Sequence, residues 1–129
     1  MKTASPRLIV ADSETDTDLL YASRFFAPDP FVYLEKEGRK WLLLSDLEID
    51  RGRIQARVDE VVAYSEVAKR VGKDAPFSAV IARFLKDLRV RRVTVPGTFP
   101  LGLALALEKE KIRVVPCKGA FFPEREIKT

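Results

Sequence analysis

Between residues 77 and 115 the chain repeats one pattern, an amphipathic helix followed by a short apolar strand, and this pattern constrains the fold more than any other feature. Phe77, Val80, Ile81, Phe84, Leu85 and Leu88 recur at the three-and-four spacing of one helix face, with Asp74 and Pro76 suited to its start. Residues 92–95 then read as a short buried strand, 100–111 as a second helix and 113–115 as another strand. Strands joined through helices by such short links pair in parallel with right-handed crossovers.

The first half carries different signals. Residues 7–11 read as a buried strand, and Ser13 and Thr15 offer N-cap chemistry for a short helix through Leu19, Leu20 and Tyr21. Residues 31–35 and 40–44 form two strands around Lys36-Glu37-Gly38-Arg39, a hairpin signal in which Gly38 can take positive φ. Ser45 and Glu48 make a capping box that predicts a helix from about Asp46. Its inner stripe would be Leu47, Arg51, Ile54 and Val58, only half apolar, which puts it at the core edge or against a partner. Residues 60–63 read as a fourth strand and 65–71 as a helix. The expectation is one α/β domain with a mixed β-sheet flanked by helices.

Composition narrows the chemistry. The 129 residues contain no histidine, which removes histidine-activated nucleophiles and every histidine-containing metal set. Carboxylate chemistry, lysine chemistry or pure binding remain. The single cysteine, Cys117, cannot form an internal disulfide and sits beside Pro116, so a reducing cytoplasmic setting and a packed thiol are expected. Apolar runs such as Trp41-Leu42-Leu43-Leu44 are far below spanning length, so no membrane partner is expected. The net charge of +4 is scattered among interleaved acids, so neither is nucleic acid.

Three motifs have competing readings. Gly97 and Gly102 have P-loop spacing, but Leu103 and Ala104 stand where the lysine and hydroxyl belong. The acidic run Asp12, Glu14, Asp16 and Asp18 after the first strand could, with Glu48 and Asp59, supply a metal-binding trio of nuclease type, while helix capping explains Asp12 to Asp16 and Glu48 equally well. The Phe25–Phe31 stretch holds two prolines and three aromatic rings, which suits either core packing or a rigid contact loop.

Five segments carry a family resemblance. Leu8-Ile9-Val10-Ala11-Asp12-Ser13-Glu14, the run from Leu20 through Phe31 and the run from Leu44 through Arg51 resemble the N-terminal domain of Xaa-Pro peptidases. This is the prolidase, aminopeptidase P and creatinase family. Val95-Pro96-Gly97-Thr98-Phe99-Pro100 and the closing Phe121 through Lys128 are similar to its later segments.

The resemblance implies a ribonuclease H-like motif over residues 1–122. Residues 123–129 would begin the hinge helix to a catalytic pita-bread domain outside this sequence. It implies a chain that is not an enzyme by itself and a parent hydrolase, a metallopeptidase of Xaa-Pro dipeptidase or aminopeptidase type. Two divalent metal ions, manganese in the usual case, would sit in the other domain on two Asp, one His and two Glu. The implied partners are that domain, a second copy in a homodimer, and a proline-containing peptide. The implied rim or interface residues are Arg24, Phe26, Asp29, Phe31, Arg39 and Arg51. The alternatives are a stand-alone module binding a ligand or protein, and the carboxylate-dependent nuclease.

Overall fold

Alternation along the strands decides the architecture. In the computed structural model, which describes residues 5–123, strand β1 (Arg7–Ala11) sends Leu8 and Val10 to one side and Ile9 to the other. Strands β2 (Phe31–Lys36) and β3 (Arg39–Leu44) do the same: Val32, Leu34 and Leu43 join the first side, and Phe31, Tyr33, Leu42 and Leu44 the second. A sheet apolar on both faces must be covered on both. Helices α3 (Tyr64–Val71), α4 (Phe77–Asp87) and α5 (Leu101–Lys109) cover the first face through Val67, Val80, Ile81, Phe84, Leu85 and Leu107. Helix α1 (Thr17–Ser23), helix α2 (Ile49–Gln55) and the Phe121–Phe122 pair cover the second.

With β4 (Glu60–Ala63), β5 (Arg92–Val95) and β6 (Arg113–Pro116), the sheet has six strands in the order β4-β3-β2-β1-β5-β6. The β1–β2 and β2–β3 pairs are antiparallel, and β3–β4, β1–β5 and β5–β6 are parallel. This is the mixed α/β sheet expected from the sequence. The hairpin turn is the two-residue Glu37-Gly38, with φ of 51° and 80°, the left-handed pair whose twist suits adjoining strands. At the β6 edge, Val114 N–H donates to Glu108 Oε2 (2.8 Å) and Pro116 has no N–H, so the outward donors of this strand are already closed.

Several local expectations are corrected. The cap of α1 is Asp16, whose carboxylate accepts from Leu19 N–H (3.0 Å). Ser13 is instead buried, and Thr15 donates to Asp12. The Ser45–Glu48 capping box does not form, because the chain turns once more before α2 begins at Ile49, and Glu48 pairs with Arg51 instead. The inner stripe is also different: Leu47 and Ile54 are 96% and 83% exposed, while Gly52 faces the sheet. A Cβ at Gly52 would land on Leu44 Cδ1, so this helix approaches the sheet with no side chain between. Phe77 is half-exposed and stacks on Tyr64, with centroids 5.8 Å apart. The expected hinge helix beyond Pro123 lies outside the described residues.

Candidate interaction surface

The loop between α1 and β2 is held by two serines. Arg24 ends α1 in the left-handed region (φ 55°), which turns the chain, and its guanidinium lies 5.2 Å from the Tyr21 ring centroid. Ser13 Oγ donates to Phe25 O (2.6 Å) and accepts from Ala27 N–H (2.7 Å). Ser13 N–H in turn donates to Ala27 O (3.1 Å). Ser23 Oγ accepts from Phe25 N–H (3.1 Å). These bonds bury Phe25 and Ala27 and leave Phe26 outward, 52% exposed.

Arg51 joins this loop to α2. Its guanidinium sits 4.4 Å from the Phe25 ring centroid, pairs with Glu48 Oε1 (2.7 Å), and donates to Phe26 O (2.9 Å) and Gln55 Oε1 (3.1 Å). All five of its donors lie on one planar fork, which lysine could not reproduce. The outcome is a fixed surface with Phe26 on the loop and Leu47 and Ile54 on the outer side of the α2 segment. Large apolar side chains left exposed beside a constrained loop suit a contact site.

Of the six residues singled out from sequence, Arg24, Phe26, Asp29 and Arg51 lie on or beside this loop, all of them exposed or half-exposed. Phe31 is 4% exposed and meets Phe25 edge-on (5.6 Å, 77°), so its ring belongs to the core and not to a rim. Arg39 stands at the other end of the β2–β3 hairpin, about 17 Å along the strand from Phe31 at 3.4 Å per residue. It pairs with Glu60 (3.3 Å) and lies 5.4 Å from the Trp41 ring. The structure therefore does not bring Arg39 together with Arg51. Leu47 and Ile54 were missed as surface residues because their hydropathy and spacing imitate a buried stripe.

Two of the depressions on the domain lie apart from this loop. A crevice of about 450 Å³ opens at the carboxyl ends of β1 and β5, lined by Ala11, Thr15, Asp16, Asp18, Thr98 and Phe99. After β1 the chain continues to α1 on one face of the sheet and after β5 to α5 on the other, and such a divergence is where open α/β sheets form clefts. A second, of about 500 Å³, is lined by Lys86, Arg89, Arg91, Lys111 and Ile112.

Among the described residues no three His, Cys, Asp or Glu side chains come together as metal ligands. Asp12, Glu48 and Asp59 are accordingly not assembled into a nuclease-like trio. The Asp12 carboxyl is held below its ordinary range, chiefly by the Thr15 backbone N–H and then by the Thr15 hydroxyl. The sequence has no histidine, so the donor set does not fit the dinuclear centre that the resemblance implies. No described helix is long and apolar enough to cross a membrane.

The geometry defines a six-stranded mixed α/β domain with helices on both faces and a clamped aromatic loop. No protein-family model matches the chain, and no curated protein matches it in sequence. Solved structures do match. The X-Pro aminopeptidase from Thermotoga maritima MSB8 superposes on 97% of the chain with a TM-score of 0.73 at 16% identity. The Xaa-Pro dipeptidase from Bacillus anthracis gives the same coverage, score and identity. An XXA-pro aminopeptidase from Streptococcus pyogenes matches 89% of the chain with a TM-score of 0.63 at 13% identity. The chain spans 34% and 32% of the first two chains and 79% of the third. At these identities the likeness is one of fold, and the fold is the one the sequence resemblance implied.

Proposed function

We propose that this chain is the non-catalytic N-terminal domain of a metal-dependent Xaa-Pro peptidase of the cytoplasm. The observation that carries the reading is the match of 97% of the chain to about a third of the X-Pro aminopeptidase from Thermotoga maritima MSB8. On this reading the two divalent metal ions, manganese in the usual case, sit in a pita-bread domain outside this sequence. The clamped surface with Phe26, Leu47 and Ile54 then faces that domain or the second subunit of a homodimer, and Arg24, Asp29 and Arg51 lie toward the mouth through which a proline-containing peptide enters.

The absence of histidine from the sequence supports the division of labour, since the metal set of two Asp, one His and two Glu that the resemblance implies cannot be assembled from this chain alone. The expected result is that the purified 129-residue chain shows no hydrolysis of an Xaa-Pro dipeptide, with or without added manganese. Metal-dependent turnover that copurifies with the chain would overturn the reading.

A further inference from the structure

The basic depression rests on two helix ends built alike. At the end of α4, Arg89 N–H donates to Lys86 O (2.9 Å) and Val90 N–H to Leu85 O (2.8 Å). At the end of α5, Lys111 N–H donates to Glu108 O (3.0 Å) and Ile112 N–H to Leu107 O (3.0 Å). Both are Schellman motifs, closed by buried Val90 and Ile112. The residue after each cap must enter the left-handed region, and here it is Arg89 (φ 60°) and Lys111 (φ 71°). Glycine takes that conformation without steric cost, and neither position uses it. Because β5 and β6 are neighbours in register, with Arg92 opposite Arg113, the two motifs open on one cleft.

Lys86 from the last turn of α4 and Arg91 just before β5 complete the lining, over a floor that includes Ile112. Glu110 pairs with Lys86 (3.3 Å), leaving four cations against one carboxylate. The simplest explanation is that cations complement helix C-termini. That accounts poorly for this cleft. The Schellman bonds already satisfy carbonyls of each last turn, Arg91 ends no helix, and Arg89 and Lys111 both occupy a conformation that disfavours side chains.

We propose that this cleft binds a small anion carrying two or more phosphate groups, a role independent of the peptidase reading. A depression of about 500 Å³ suits a small ligand, and guanidinium forks engage phosphate oxygens in pairs. One phosphate would leave part of the positive charge unanswered. The lining holds no aromatic ring on which a nucleic-acid base could stack.

Calorimetric titration of the 129-residue chain with pyrophosphate is the test. Saturable binding of one pyrophosphate per chain is expected, with a dissociation constant below about 100 μM. Inorganic phosphate should bind at least about tenfold more weakly. The double variant Arg89→Gly, Lys111→Gly suits the left-handed backbone, so it should melt no lower than the parent while binding pyrophosphate at least about tenfold more weakly. Arg91→Gln, which leaves both helix ends intact, should weaken binding in the same direction. Absence of saturable binding, or variants that bind as well as the parent, would overturn the proposal. So would tighter binding of single-stranded RNA or of anionic vesicles through these same residues.

Discussion

Replacing Leu8 by alanine is expected to lower the unfolding free energy by about 3–4 kcal/mol, a large part of what a domain of this size holds. Leu8 is 0% exposed and lies on β1, which pairs with both β2 and β5 and so joins the hairpin half to the parallel half. Its side chain belongs to the core beneath α3, α4 and α5, where close neighbours on all sides prevent the site from collapsing around a smaller residue. The midpoint of urea unfolding should fall with an unchanged slope, and Tm should drop by about 10 °C or more. Leu47→Ala removes the same atoms from a residue that is 96% exposed, and should shift stability by no more than about 0.5 kcal/mol. Equal costs at the two positions would contradict the assignment of inner and outer leucines.

Ser13→Ala is expected to cost about 2–3 kcal/mol, although it removes one oxygen atom. Ser13 is 1% exposed, and its hydroxyl is both the acceptor for Ala27 N–H and the donor to Phe25 O. Without it, Ala27 N–H loses this acceptor and Phe25 O keeps only the long bond from Ser23 Oγ (3.5 Å), in a place where little water can replace the lost oxygen. The loss should be local as well as global. Amide exchange in residues 25–31 should accelerate more than in β1 or β3, because the loop that presents Phe26 is held chiefly by these bonds and by Arg51. Ser45→Ala, at an exposed position whose hydroxyl caps no helix, should be near neutral. A neutral Ser13→Ala would contradict this account and leave the loop to Ser23, Arg51 and the packing of Phe25.

The strands were legible because both faces of the sheet are apolar and short runs of branched residues have few other uses. Residues 7–11, 60–63 and 92–95 fall where the hydropathy places them. Helix α4 was legible for the complementary reason, a full apolar face at helical spacing. The caps were not. Ser13, Thr15 and Asp16 compete for the same unpaired N–H groups, and the choice of Asp16 depends on Ser13 being drawn into a long-range bond with the loop. Helix α2 hid its inner face because its closest approach to the sheet is through Gly52, which adds nothing to a hydropathy pattern.

The candidate surface was legible as a segment but not as a geometry. The aromatic, proline-bearing loop announced itself, whereas only the hairpin length separates Arg39 from Arg51. The basic cleft was illegible for a related reason. Lys86, Arg89 and Arg91 lie some twenty residues before Lys111 and look scattered along the chain until the pairing of β5 with β6 sets the two helix ends side by side.

The measurement that bears most directly on the peptidase-domain reading is the sequence of the source gene past the codon for Thr129. The reading predicts an open frame that continues into a second domain carrying two Asp, one His and two Glu as metal ligands. A stop codon at that point would contradict it, and would leave this fold as an independent binding protein whose ligands should be sought at the Phe26 surface and the basic cleft.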